Sequence, residues 1–263
     1  MTMLRAFLAM LMLLAASAHA GVIIIGTRVI YPGSARDVSV RLQNRGDRPA
    51  LVQAWLDAGD PKSTPDAVSV PFALSPTLAR IDPERGQVLR LAYTGEPLPQ
   101  DKESVFWLNV LEVPPKAVEA KAGEGNLLQF ALRTRIKVFY RPKGLKGEPS
   151  AAARALQWRI VSTGDAWTVE ARNDSPYFVS IADLSLRADA KTSEAAATSD
   201  GGMLGPGEAK KFELSKVSKG LLSVEPVVVR FTFVDDYGAL VNQDALVPAP
   251  GIQAPLAATR PDK

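Results

Sequence analysis

Between Asn126 and Pro142 the sequence NLLQFALRTRIKVFYRP alternates. Leu128, Phe130, Leu132 and Ile136 fall on one set of alternate positions, with Thr134 between them. Gln129, Ala131, Arg133, Arg135 and Lys137 fall on the other. Successive side chains of a strand point to opposite faces, so this pattern predicts one long strand with an apolar row and a polar, cationic row. Shorter runs repeat the signal. Val38, Val40 and Leu42 alternate with Ser39, Arg41 and Gln43, and Gln87 to Tyr93 alternates through Leu89 and Leu91. Val105 to Val113 is almost continuously apolar, as a central sandwich strand would be. Trp167 to Ala171, Tyr177 to Leu186 and Val227 to Val234 have the same character. Turn-forming residues separate these runs, as in Asn44-Arg45-Gly46-Asp47, Asp82-Pro83-Glu84-Arg85-Gly86 and Gly205-Pro206-Gly207.

No stretch beyond residue 20 carries a long 3.6-residue periodicity. Ala117 to Ala122 has the composition for one helical turn, which Gly123 and Gly125 stop. Many short strands with evenly spaced turns predict an all-β chain of sandwiches or barrels. A break falls at Arg141-Pro142-Lys143-Gly144-Leu145, because proline cannot continue a sheet ladder and proline with glycine marks a connection. The expected units are residues 21–141 and 142–246, each close to one immunoglobulin-like sandwich in size. Ala188 to Gly202, small and polar, is expected to be a loop, and residues 247–263, rich in proline and alanine, a loosely ordered tail.

Composition narrows the chemistry. Of 263 residues, 46% are apolar and 22% charged, which fits a folded protein. The net charge of +3 comes without a basic run, so nucleic acid is not indicated. Residues 1–20 combine an early Arg5, an apolar run from Ala6 to Ala16 and the small-residue pattern Ala18-His19-Ala20. That is the arrangement of a secretory signal peptide cleaved after Ala20, and the run is too short to span a bilayer. There is no cysteine, so disulfides do not staple the fold. The only histidine, His19, would leave with the signal. Ser-His-Asp and Cys-His catalysis then lose an essential member, and His- or Cys-based zinc sites are excluded. Asp235-Asp236 lacks a partner acid at a defined spacing. Gly201 to Gly207 lacks the Lys-Ser/Thr of a phosphate loop. Asn173-Asp174-Ser175 fits a glycosylation pattern but precedes Pro176 and reads as a turn. The expectation is a non-enzymatic protein with no cofactor and no metal.

Five segments carry a resemblance. They are Gly26-Thr27-Arg28-Val29-Ile30-Tyr31-Pro32, Leu98 to Asn109 (LPQDKESVFWLN) running on to Glu112-Val113-Pro114-Pro115, and Arg135-Ile136-Lys137-Val138-Phe139-Tyr140-Arg141-Pro142. Asn173-Asp174-Ser175-Pro176-Tyr177-Phe178-Val179 and Val234-Asp235-Asp236-Tyr237-Gly238 complete the set. In this order, behind a signal peptide, they resemble the periplasmic pilus-assembly chaperones of the chaperone–usher family over essentially the whole chain after residue 20. The segment of about ten residues between Pro115 and Asn126, with no cysteine pair, places the resemblance with the short-loop members. The tail beyond Val247 has no counterpart in the family pattern.

The resemblance implies two immunoglobulin-like sandwiches in tandem, set at an angle with a cleft between them. It implies a periplasmic protein that lends its last N-domain strand to an incomplete pilin subunit and delivers the subunit to an outer-membrane usher. Asn126, Leu128, Phe130 and Leu132 match the alternating residues that enter the pilin groove. Main-chain bonds then supply affinity while alternate apolar side chains fill pockets. Arg28 and Lys137 match the cleft pair that grips the pilin C-terminal carboxylate through charge-assisted hydrogen bonds. That contact would set the register, since a one-residue slip turns every apolar side chain to the wrong face. Glu103, Arg141 and Asp236 match an interdomain ionic network. Read without the resemblance, the apolar row would face its own core and the cations would be solvated strand residues. The alternative class is a secreted immunoglobulin-like adhesin or structural pilus subunit, which would have no need of a basic cleft pair. A bare apolar strand must also be covered when no partner is bound, for which a self-capping homodimer is one route.

Overall fold

The computed structural model describes residues 21–67, 69–113, 130–163, 166–187, 197–214, 227–248 and 257–258. The leader, Ala117 to Ala122, and the site positions Asn126 and Leu128 lie outside the described residues. Among the described residues the first sandwich comprises β1 (Val22–Ile24), β2 (Arg28–Pro32), β3 (Val38–Asn44), β4 (Ala50–Asp57), β5 (Phe72–Ser75), β6 (Leu78–Ile81), β7 (Gly86–Tyr93), β8 (Ser104–Val113) and β9 (Leu132–Arg141). They form two sheets in the orders β1-β3-β7-β5 and β2-β9-β8-β4-β6.

Alternation turns Val40, Leu42, Leu89 and Leu91 inward from one sheet. Val52, Ala54, Leu56, Leu108, Val110, Val138 and Tyr140 meet them from the other. Each such side chain, removed from water, contributes roughly 1.5–3 kcal/mol if it is a large aliphatic or aromatic residue. The chain leaves the first sheet after β1 and joins the second as β2. Gly26, with φ of 111°, allows that switch between sheets. β2 then runs parallel to β9, with Arg28 opposite Lys137 and Pro32 opposite Arg141.

The second sandwich contains α1 (Pro149–Arg154), β10 (Gln157–Thr163), β11 (Ala166–Arg172), β12 (Val179–Arg187), β13 (Ala197–Leu204), β14 (Ala209–Glu213), β15 (Val227–Val234), β16 (Leu240–Val247) and β17 (Ala257–Ala258). Its sheets run β14-β11-β10-β17 and β13-β12-β15-β16. The core centres on Trp158 and Phe231, whose rings lie 4.8 Å apart. The molecule is thus two immunoglobulin-like sandwiches in tandem, with a separate core in each.

Three local expectations are corrected. The stretch read as a loop, Ala188 to Gly202, includes the start of β13, which pairs with β12 from Leu186↔Ala197 to Val179↔Leu204. Small residues suit that pairing, because a Cβ on Gly201 would lie 2.0 Å from the Ile181 carbonyl oxygen. The short helix α1 was not predicted. At six residues it is too brief for a periodic signal, and it buries Ala152 and Ala153. The tail read as loosely ordered contributes β17, whose Ala257 and Ala258 pair with Trp158 and Gln157 at the edge of β10. Asn173, in contrast, makes the connection its sequence suggests. Its buried amide donates to the carbonyls of Tyr177 and Gly205, and its oxygen accepts from the Ser175 N–H.

Candidate functional site

β9 has two unequal halves. β8 pairs with it from Glu112↔Leu132 to Ser104↔Tyr140. On its other side β2 covers only Lys137 to Arg141. Among the described residues, Leu132 to Ile136 therefore have one edge without a strand partner. The apolar row divides at the same place. Ile136 is 8% exposed and joins Val138 and Tyr140 in the core. Leu132 is 59% exposed and Phe130, just before the strand begins, is 77% exposed. One continuous sequence pattern thus packs its own core at one end and stands in solvent at the other.

Beside this edge, Arg28 and Lys137 are direct cross-strand neighbours. Lys137 Nζ donates to Ser180 Oγ at 3.2 Å and lies 5.6 Å from the Trp107 ring centre. Arg28 Nη1 donates to the Val234 carbonyl at 2.9 Å, and its guanidinium sits 5.7 Å from the Phe139 ring centre. Arg28 Nε is buried without a hydrogen-bond partner. Neither cation makes an ion pair among the described residues. Burial, with the charges of Arg28 and Lys210 nearby, pushes the Lys137 ammonium down to about 8. Burial also lowers Arg28, opposed by the charges of Asp236, Asp235 and Glu103. A cavity of about 380 Å³ opens beside Arg28 between the sandwiches, and its lining adds Arg141 and the acids Glu103, Glu148, Asp235 and Asp236 to Phe139 and Phe178. Arg28 and Lys137 are thus neighbouring, partly buried cations with no ion-paired acid among the described residues, and a carboxylate reaching the Lys137 ammonium would form a charge-assisted hydrogen bond.

The seam between the sandwiches runs through Arg141. Its Nε donates to Glu103 Oε1 at 2.7 Å, and its Nη1 and Nη2 donate to the two Asp236 oxygens at 2.7 and 3.0 Å. Glu103 is only 4% exposed. Its other oxygen accepts from the Phe178 N–H at 2.8 Å, and its own N–H donates to the Pro176 carbonyl at 2.9 Å. Burial pushes Glu103 up, opposed by the Phe178 N–H and by Arg141. Burial disfavours the Arg141 charge, but its bonds to the Asp236 and Glu103 carboxylates outweigh it and raise its pKa. Phe139 and Phe178 add an aromatic contact at 5.8 Å across the same seam.

Gly238 closes the seam near Thr27. It has φ of 86°, and a Cβ there would lie 2.4 Å from Thr27 Oγ1. Gly238→Ala is expected to cost about 1–2 kcal/mol in left-handed backbone strain alone. A thermal melt should fall by a few degrees, and an unchanged melt would show that this turn tolerates a side chain.

A further cluster was not singled out from the sequence. Trp55, Asp57, Trp107 and Asn109 lie on the sheet face opposite the core, beneath Arg133 and Arg135. The Arg133 guanidinium sits 4.7 Å from the Trp55 ring centre, and that of Arg135 4.2 Å from Trp107. The cationic row was visible in the alternation, but its partners come from β4 and β8 and no local pattern names them.

Two family models match. Residues 21–146 match the family described as "Pili and flagellar-assembly chaperone, PapD N-terminal domain". Residues 151–245 match "Pili assembly chaperone PapD, C-terminal domain". Among curated proteins, the chain is 41% identical over 235 residues to the probable fimbrial chaperone YadV of Escherichia coli K12, covering 89% of this chain and 93% of that one. It is 48% identical over 182 residues to the chaperone protein FimB/FhaD of Bordetella pertussis, covering 68% and 72%. The crystal structure of the CupB2 chaperone from Pseudomonas aeruginosa aligns with a TM-score of 0.69 at 36% identity, covering 86% of this chain and all of that one.

Proposed function

The chain belongs to the PapD-type pilus-assembly chaperones, and from that premise we propose that it binds pilin subunits in the periplasm by lending them β9. The added strand would pair along the bare edge of Leu132 to Ile136, with Phe130 and Leu132 entering the subunit's groove. Asn126 and Leu128 would continue the row. Arg28 and Lys137 would hold the subunit's terminal carboxylate and so set the register. Glu103, Arg141 and Asp236 would keep the two domains, residues 21–141 and 142–246, at the angle the cleft requires. The role is binding without chemistry. The loaded complex would pass to an outer-membrane usher after export behind a cleaved leader.

One observation supports this reading: a strand edge unpaired among the described residues, with exposed apolar side chains, ends at two partly buried neighbouring cations that make no ion pair among the described residues. The pairing physics is that of strand addition, in which backbone bonds give affinity and alternate side chains give specificity. Its test is co-expression with a pilin from the same genome, followed by affinity recovery. The wild type should recover pilin, and Arg28→Ala should recover about tenfold less, as loss of a charge-assisted bond predicts. No recovery by the wild type, or undiminished recovery by Arg28→Ala, overturns the proposal.

A further inference from the structure

Asp57 ends β4 on the face turned away from the core, yet it is only 4% exposed. It collects five hydrogen bonds. Arg135 donates from Nε and Nη2, Asn109 from Nδ2 at 2.8 Å, Gly59 from its N–H at 2.7 Å and Ser63 from Oγ at 3.2 Å. Asn109 Oδ1 in turn accepts from Arg133 Nε and Nη2 at 2.9 and 2.7 Å. Arg133 also donates to the Pro61 carbonyl at 2.9 Å. Burial pushes the Asp57 carboxyl up, but the bonds from Arg135, Asn109 and Gly59 outweigh it and hold the group below the usual range.

We infer that Asp57 is a positioning residue that, through Arg133 and Arg135, holds the unpartnered half of β9 against β8 before another protein's strand arrives. The inference rests on the strand-lending reading above. Both arginines come from Leu132 to Ile136, the stretch that β2 does not reach. The other half of β9 has a second strand and needs no such tether. Two strand spacings, about 9–10 Å, separate β9 from β4, so only a long side chain spans β8 to meet Asp57. Both guanidinium groups lie over β8 and β4 and so lean away from the bare edge, leaving it open. Ordering that edge in advance lowers the conformational cost of adding a strand. The sheet face could have been closed by apolar side chains. Instead it carries a charged clamp whose attachment points coincide with the unpaired segment.

The test is amide hydrogen exchange on the full free chain, comparing wild type with Asp57→Ala, Asp57→Asn and Arg135→Gln. Asp57→Ala and Arg135→Gln should speed exchange of the Leu132 to Ile136 amides that bond β8 by about tenfold. Lys137 to Arg141 should change little. Capture of the pilin recovered with the wild type should fall by about tenfold in the same variants, as an unpaid ordering cost of that size predicts. Asp57→Asn, which can still accept from Arg135 and Gly59, should recover part of both losses. Unchanged exchange, or a uniform increase across the whole first sandwich in both Asp57→Ala and Arg135→Gln, overturns the inference. Failure of the strand-lending reading looks different: the wild type itself captures no pilin, whatever the exchange pattern, and the functional half of the inference falls with it.

Discussion

Lys137→Met is expected to weaken pilin recovery sharply and at the same time to raise the melting temperature of the free protein. A residue kept for stability would not behave this way. Lys137 is part-buried beside Arg28, with one hydroxyl partner and no ion-paired acid among the described residues. Folding therefore brings two like charges together and removes solvent from them, which costs free energy. Methionine keeps the unbranched stem over Trp107 and removes the charge. Discounted for the solvent that still reaches the ammonium, the gain is about 1 kcal/mol, or roughly 2–4 °C in a protein of this size. The bound state should lose a charge-assisted contact, and recovery should drop by at least about tenfold.

The sign of the pH dependence follows from the lowered pKa. The folded protein releases the Lys137 proton near 8, and the ordinary lysine value is 10.5. Between those values the unfolded chain binds more protons, so the wild type gains stability as pH rises through that window. The advantage of Lys137→Met should be full below about pH 8 and shrink towards 10.5. A methionine variant that melts lower than wild type at pH 7 would show that Lys137 supports the fold instead.

Ile136→Asp and Phe130→Asp should separate the two ends of the apolar row. They share one face of one segment, and the same carboxylate is introduced in both. At Ile136 it would enter the core beside Val138 without a partner, and a loss of about 4 kcal/mol or more should unfold the first sandwich. At Phe130, which is 77% exposed, the melt should move by no more than about 0.5 kcal/mol. Pilin affinity should nevertheless fall by about tenfold or more, since a side chain buried only in the complex would be lost. Circular dichroism melts with parallel capture assays decide the matter. A Phe130→Asp protein that unfolds would mean that the aromatic ring is covered by its own domain.

Much of the fold was legible because strand alternation is a local property. β3, β7, β8, β12 and β15 fall where apolar residues alternate or run together between turn residues. β13 was missed because its glycines and small residues have little strand propensity of their own, and its order comes from pairing with β12. α1 and β17 are too short to carry a period. The cationic row of β9 was visible, but Asp57 was not. It meets Arg135 across 78 residues of sequence, a separation that alternation does not encode.

The chain of residues by itself determined the all-β class, the strands whose residues alternate or run apolar together, the absence of cysteine and the existence of an apolar row from Leu128 to Ile136. These depend on residue type and spacing alone. Only the tertiary structure decided which part of that row is core and which part is free. The division is set by where β2 stops pairing with β9 and by which side chains the opposite sheet covers. Both are long-range packing outcomes. The same two facts bring Arg28 against Lys137, leaving a strand edge and a pair of neighbouring cations side by side.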